Sequence, residues 1–130
     1  MALQKTDFIW HNGKLVKWDD AKIHVLSHGL HYGSGVFEGI RCYDTPKGPA
    51  IFRLSDHVAR LVRSAKLYKI PLLYSEQQLV EAAKELVRKN GIKSSYIRPI
   101  VFYGYGVMGL QPQDCPVDAV IACWPWGTYL

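Results

Sequence analysis

Between Ser55 and Gly91 the sequence reads as two amphipathic helices in succession, with strand-like segments before and after them. That order excludes regular βαβ alternation, which would need a helix between successive strands of a parallel sheet. The expected fold is α+β: a mostly antiparallel sheet with two helices on one side. In "SDHVARLVRSAKLYKIP", Val58, Leu61, Val62, Ala65 and Leu67 recur at near-helical spacing, with Ser55 placed as the N-cap and Pro71 as the stop. In "SEQQLVEAAKELVRKNG", Ser75 and Gln78 fit a capping box, Leu79, Ala82, Ala83 and Leu86 form the apolar face, and Gly91 suits a left-handed C-cap.

The flanking segments supply the strands. "FIW" and "KLVKW" enclose Asn12-Gly13, a pair that tolerates the positive φ angles of a tight hairpin turn. "VFEGIRCYD" and "AIFRL" alternate in the β manner around "TPKGP", which reads as a longer hairpin loop. "SSYIRPIVFYG" and "VDAVIACWPW" are strand-like again, and "GYGVMGLQPQDCP" between them is too rich in glycine and proline for regular structure. No repeat or linker divides the 130 residues, so 1–130 is expected to be one domain. The chain stops at "WPWGTYL" directly after a strand with no polar tail, which suggests a piece of a longer polypeptide.

Composition narrows the partners. The net charge is +5, but the sixteen basic residues are scattered and none of the ten lysines lies in a basic run, which argues against a nucleic-acid tail. A nucleic-acid binder would also interleave basic and aromatic residues on one strand face. Cys42, Cys115 and Cys123 show neither zinc-site nor disulfide-framework spacing, so buried free thiols are expected. There is no apolar signal core and no bilayer-length apolar run. A cytoplasmic protein with no membrane partner is expected.

The chemistry is concentrated in "HGLHYGSGVFEGIR", His28 to Arg41: two imidazoles, two aromatics, four glycines, a carboxylate and a guanidinium in fourteen residues. His28 and His31 have the i,i+3 spacing of a helical metal pair, but glycines and the lack of a third ligand argue against metal. Gly33, Gly35 and Gly39 allow close backbone approach, yet "GSG" without a following helix is no dinucleotide fingerprint. Tyr32, Phe37 and Tyr129 are either pocket walls with polar tips or ordinary core aromatics. Strand alternation puts Tyr96 and Arg98 of "YIRPI" on one face, a carboxylate clamp or an exposed edge arginine. Arg60 is a phosphate ligand or a solvated helix residue. Composition and spacing stop at a ligand-binding α+β domain.

Four separated motifs go further. "SHGLHYGSGVFEGIRCY", "HVARL", "YIRP" and "WPWGTYL" occur in the order and spacing that closely resemble the N-terminal domain of branched-chain amino acid aminotransferases, with similarity along essentially the whole chain. The resemblance implies the small domain of a D-alanine aminotransferase-like fold, in enzymes that use pyridoxal 5′-phosphate held between two domains. The lysine that binds the cofactor covalently, and the glutamate on its pyridine nitrogen, would lie outside this chain, leaving it inactive by itself and with no catalytic residue of its own. Within the chain, the resemblance implies that Arg60 binds the cofactor phosphate and that Tyr32, Phe37 and Tyr129 surround a branched side chain. Tyr96 would orient the α-carboxylate, Arg98 the distal carboxylate of glutamate or 2-oxoglutarate, and Gly39 would leave room beside the substrate. Met108 and Leu110 would lie on a loop reaching the neighbouring subunit's site in a homo-oligomer. The implied reaction moves an amino group between leucine, isoleucine or valine and 2-oxoglutarate. D-amino acid aminotransferases and aminodeoxychorismate lyases share part of the motif set, but "YIRP", "FEGIR" and "WPWG" favour the branched-chain type.

Overall fold

The computed structural model describes residues 2–126; Tyr129 falls outside them. Seven strands and three helices are assigned: β1 (Phe8–His11), β2 (Lys14–Lys17), α1 (His28–Tyr32), β3 (Gly35–Phe37), β4 (Ile40–Thr45), β5 (Gly48–Ile51), α2 (Leu54–Leu67), α3 (Glu76–Asn90), β6 (Ser95–Tyr103) and β7 (Val117–Trp124). All pairings between these strands are antiparallel, in the order β2-β1-β7-β6-β4-β5 with β3 also on β6. The α+β expectation holds.

The sheet is organised around β6, which pairs with β7 on one side and with β3 and β4 end to end on the other. The register is the same across the β3–β4 break, since Phe37 faces Ile100 and Ile40 faces Ile97. "VFEGIRCYD" is thus a single extended run interrupted at Glu38-Gly39. The cause is Pro99, which that register sets opposite Glu38. Glu38 N–H donates to the Pro99 carbonyl at 3.1 Å, but proline has no N–H to return the bond.

Alternation along the strands divides the sheet into two faces. One carries Val36, Ile40, Cys42, Ile97, Val101 and Cys123, all buried in the core that also holds Val58, Leu61 and Ala65 of α2 and Leu79, Ala83 and Leu86 of α3. The other carries Phe37, Gly39, Arg41, Tyr96 and Arg98. Burial raises the thiol pKa of both Cys42 and Cys123, the latter to about 11 against the opposing hydrogen bond from Asn90. At pH 8 about one Cys123 in a thousand is then ionised. Iodoacetamide at pH 8 should therefore leave both thiols unmodified in the folded protein and label them after unfolding, as read by mass spectrometry.

Several local expectations are met. Asn12 and Gly13 adopt φ of 51° and 91° between β1 and β2. Ser75 and Gln78 form the reciprocal capping box of α3, and Gly91 is its left-handed C-cap. The three cysteines are free and buried.

Others are corrected. Ser55 does not cap α2: the helix starts one residue earlier at buried Leu54, with Arg53 as a left-handed N-cap lacking a side-chain bond. Leu67 is 82% exposed and no part of the apolar face. α2 closes in a Schellman arrangement, with Ile70 N–H on the Ala65 carbonyl, Lys69 N–H on that of Lys66, and Lys69 at φ 56°. "TPKGP" is not a long loop, because Thr45 pairs with Gly48 and only two residues intervene. The third helix, α1, was not expected from its glycines. It lasts one turn, ending at Gly33 with φ 64°, and is held by tertiary contacts rather than propensity.

Candidate functional site

The break at Glu38-Gly39 lies between two polar clusters, one on each face of the sheet. On the helix side, Glu38 takes the place of a core residue in the stripe Val36-Glu38-Ile40-Cys42 and is only 6% exposed. A carboxylate there needs partners, and α2 supplies two from successive turns. Arg60 donates Nε–H to Oε2 and Nη2–H to Oε1, both at 2.7 Å. His57 Nδ1 lies 2.8 Å from Oε1, so the neutral ring donates its Nδ1 proton. Burial pulls the Glu38 carboxyl upward, but the hydrogen bonds and charges of Arg60 and His57 together outweigh it and hold it below the usual carboxylate range. Glu38 correspondingly raises the Arg60 pKa.

The Arg60 side chain is nevertheless 60% exposed. Glu38 occupies the Nε/Nη2 edge of the guanidinium, and the opposite end, carrying three of the five N–H groups, has no partner among the described residues. Beyond it opens a concavity of about 310 Å³ whose lining includes Arg53, His57, Arg60 and Arg63 and no lysine. An oxyanion fits this cationic opening by charge and by donor geometry.

On the open face, Arg98 and Tyr96 are together, as alternation predicts. Arg98 Nη2 donates to the Tyr96 hydroxyl at 2.7 Å, and the guanidinium carbon lies 4.4 Å from the Phe37 ring centroid. β6 is interior to the sheet, so Arg98 is not an edge residue. Its Nε is buried with no hydrogen-bond partner, a donor left over in the cluster. Tyr96 stacks on Trp126 at 4.5 Å, and Arg41 lies 5.6 Å from the same indole. Gly39 is what allows this: a Cβ there would collide with the Tyr96 hydroxyl. The cluster can grip a carboxylate beside the apolar surface of Phe37.

A third group forms around α1. Buried His28 bridges Ser34 Oγ at 2.7 Å and the Gly109 carbonyl at 2.8 Å, while the Tyr32 hydroxyl donates to the Met108 carbonyl at 2.8 Å. His31 Nε2 lies 2.7 Å from the Val25 carbonyl. Thus the histidine pair fastens backbone. Among the described residues no group of three metal-ligating side chains occurs. Met108 is partly buried and Leu110 is 82% exposed at the tip of this tethered loop.

Phe37, Gly39, Tyr96 and Arg98 therefore converge, and Arg60 approaches the same strand break from the other face through Glu38. Tyr32 does not join them; it belongs with Met108. Sequence reasoning missed Glu38 and His57. The signal was present: alternation puts position 38 inward, and an inward carboxylate calls for a cation, which His57 and Arg60 at i,i+3 on an adjacent helix can provide.

The chain belongs to the class IV aminotransferase family, whose model matches residues 35–130. It is 52% identical over 131 residues to the branched-chain-amino-acid aminotransferase of Salmonella typhimurium, covering 100% of this chain and 42% of that protein. A crystal structure of the Escherichia coli branched-chain amino acid aminotransferase matches with a TM-score of 0.93 at 52% identity, over 97% of this chain and 42% of that one. A thermophile's branched-chain amino acid aminotransferase, solved as a complex with N-(5′-phosphopyridoxyl)-L-glutamate, matches with a TM-score of 0.91 at 49% identity, over 97% and 42%. The chain thus spans well under half the length of these relatives.

Proposed function

We propose that residues 1–130 form the N-terminal small domain of a branched-chain amino acid aminotransferase dependent on pyridoxal 5′-phosphate. The observation that carries this reading is the strand break at Glu38-Gly39, where a phosphate-suited guanidinium and a carboxylate-suited cluster meet. The phosphopyridoxyl-glutamate complex of one relative supports both the cofactor and glutamate as an amino donor. Identity to branched-chain enzymes supports leucine, isoleucine and valine as partners of 2-oxoglutarate.

The bound cofactor would act as the electron sink for reaction at the substrate α-carbon. This chain's residues would bind and orient. Arg60 would hold the phosphate by its free end, Arg98 and Tyr96 would take substrate carboxylate, and Phe37 would offer apolar contact to a branched side chain. One pocket could then accept an aliphatic and a charged substrate in turn. Tyr129 is proposed as a further pocket wall. Covalent attachment and proton transfer would belong to the remaining part of a full-length protein.

Exposed Leu30, Tyr105 and Leu110 around α1 and its loop support a homo-oligomer. Because Tyr32 is bonded to the Met108 loop, both would approach a neighbouring subunit's site together. No helix among the described residues is long and apolar enough to cross a membrane, which agrees with a cytoplasmic location.

The test uses the full-length protein. It should transaminate leucine, isoleucine and valine with 2-oxoglutarate, and Arg60→Ala should raise the dissociation constant for pyridoxal 5′-phosphate by roughly tenfold or more, measured by equilibrium dialysis of the apoenzyme. No transamination would overturn the enzyme assignment, and unchanged cofactor affinity would remove Arg60 from the site.

A further inference from the structure

The geometry points to Glu38 as a positioning residue for the cofactor phosphate, acting through Arg60. This rests on the proposal that Arg60 binds that phosphate. A carboxylate near a phosphate site is electrostatically adverse, so its placement needs a reason. Glu38 adds a negative charge that would repel the incoming anion, yet it is buried at 6% exposure at the start of the strand break, with both oxygens turned to α2.

The reason lies in the shape of the guanidinium. Arg60 is a long, flexible side chain, 60% exposed on a helix surface, and free in solution it would sample many rotamers. Two parallel hydrogen bonds at 2.7 Å on its Nε/Nη2 edge fix both its position and its plane. The Nη end, which Glu38 does not use, is left facing the concavity lined by Arg53, His57 and Arg63. His57 holds Oε1 from a second direction at 2.8 Å, so the carboxylate itself cannot rotate away. Glu38 is in turn fixed by its own backbone, whose N–H is bonded to the Pro99 carbonyl. The phosphate ligand is thereby anchored to the centre of the sheet, one residue from Phe37 and Gly39 on the opposite face. Pre-organisation of this kind raises affinity by removing an ordering cost from the binding step.

Two opposite effects compete in the isosteric variant Glu38→Gln: loss of the repulsive charge favours phosphate, and loss of one of the two edge bonds disfavours it. A side-chain amide can accept from one N–H of Arg60 but presents its NH₂ to the other. Orientation is expected to win. In the full-length apoenzyme, Glu38→Gln should raise the dissociation constant for pyridoxal 5′-phosphate about tenfold while changing that for pyridoxal, which lacks the phosphate, by less than about twofold. In an Arg60→Ala background the same substitution should add nothing, because the residue it acts through is gone.

Equal losses for both ligands would make Glu38 a packing residue only and overturn the inference, as would unchanged or tighter binding of the phosphorylated ligand. If Arg60→Ala weakens binding while Glu38→Gln does not, the phosphate assignment stands and the role of Glu38 falls. If Arg60→Ala has no effect, the phosphate assignment itself falls. A measurement independent of any variant is a crystal structure of the full-length holoenzyme. Arg60 should remain side-on to Glu38 with phosphate oxygens on its Nη end. An Arg60 swung off Glu38 onto the phosphate would overturn the inference.

Discussion

Arg98→Ala in the full-length protein is expected to raise KM for glutamate and 2-oxoglutarate by roughly thirtyfold or more while leaving leucine and isoleucine within a few-fold. Only the dicarboxylic substrates would present a distal charge to this guanidinium. Arg98 already has its Nη2 on the Tyr96 hydroxyl and lies against the Phe37 ring, so little reorganisation is needed when a carboxylate arrives. Its Nε is buried and unpartnered, so a donor is available in addition to the exposed end of the fork. Removing one member of a desolvated charge pair costs about 2 to 5 kcal/mol, and the lower bound already corresponds to about thirtyfold. Arg98→Lys would keep the charge but lose the planar fork and the stacking on Phe37, and should recover only part of the defect. Steady-state KM values for both substrate classes decide the matter. Equal losses would make Arg98 a structural residue or a ligand of the α-carboxylate, which all substrates share.

The same cluster shows what the sequence makes legible. Period-two alternation placed Tyr96 and Arg98 on one face, and a local rule sufficed because both lie on one unbroken strand. Asn12-Gly13 and the Ser75–Gln78 capping box were equally readable, since each is a short-range backbone preference. The errors arose where tertiary contacts override local preference. Ser55 has good cap chemistry, but burial of Leu54 sets the start of α2 one residue earlier. His28–Tyr32 contains a glycine and makes one helical turn because His28 and Tyr32 are bonded to a loop 76 or more residues away. Glu38 is the most instructive case. Its charge suggested the surface and its strand position required the core, and only α2 folding back over the sheet with His57 and Arg60 resolves that conflict. Such a local contradiction is itself a pointer to a functional position.

Gly39→Ala should lower kcat/KM for every substrate by about a hundredfold while shifting the melting temperature little. The register sets Gly39 opposite Arg98, on the open face between Phe37 and Arg41. A Cβ there would collide with the Tyr96 hydroxyl and come within 3.1 Å of its ring carbon Cζ. The backbone of Gly39 is not in the left-handed region, so alanine is not conformationally strained; the whole effect comes from what its methyl displaces. Tyr96 must swing away. That breaks its bond to Arg98 and disturbs its stacking on Trp126, removing both proposed carboxylate contacts in one step. Displacement of positioning groups by about 1 Å can cost about 10²-fold in rate. The core lies on the other face, so stability should change far less than activity. The double variant Gly39→Ala/Tyr96→Phe separates this account from a general loss of packing. Removing the hydroxyl removes the atom the methyl strikes, so the double variant should do no worse than Tyr96→Phe alone, a coupling visible as strong non-additivity. Additive losses would mean that Gly39 matters for the backbone path at the strand break and not for the space it leaves beside Tyr96.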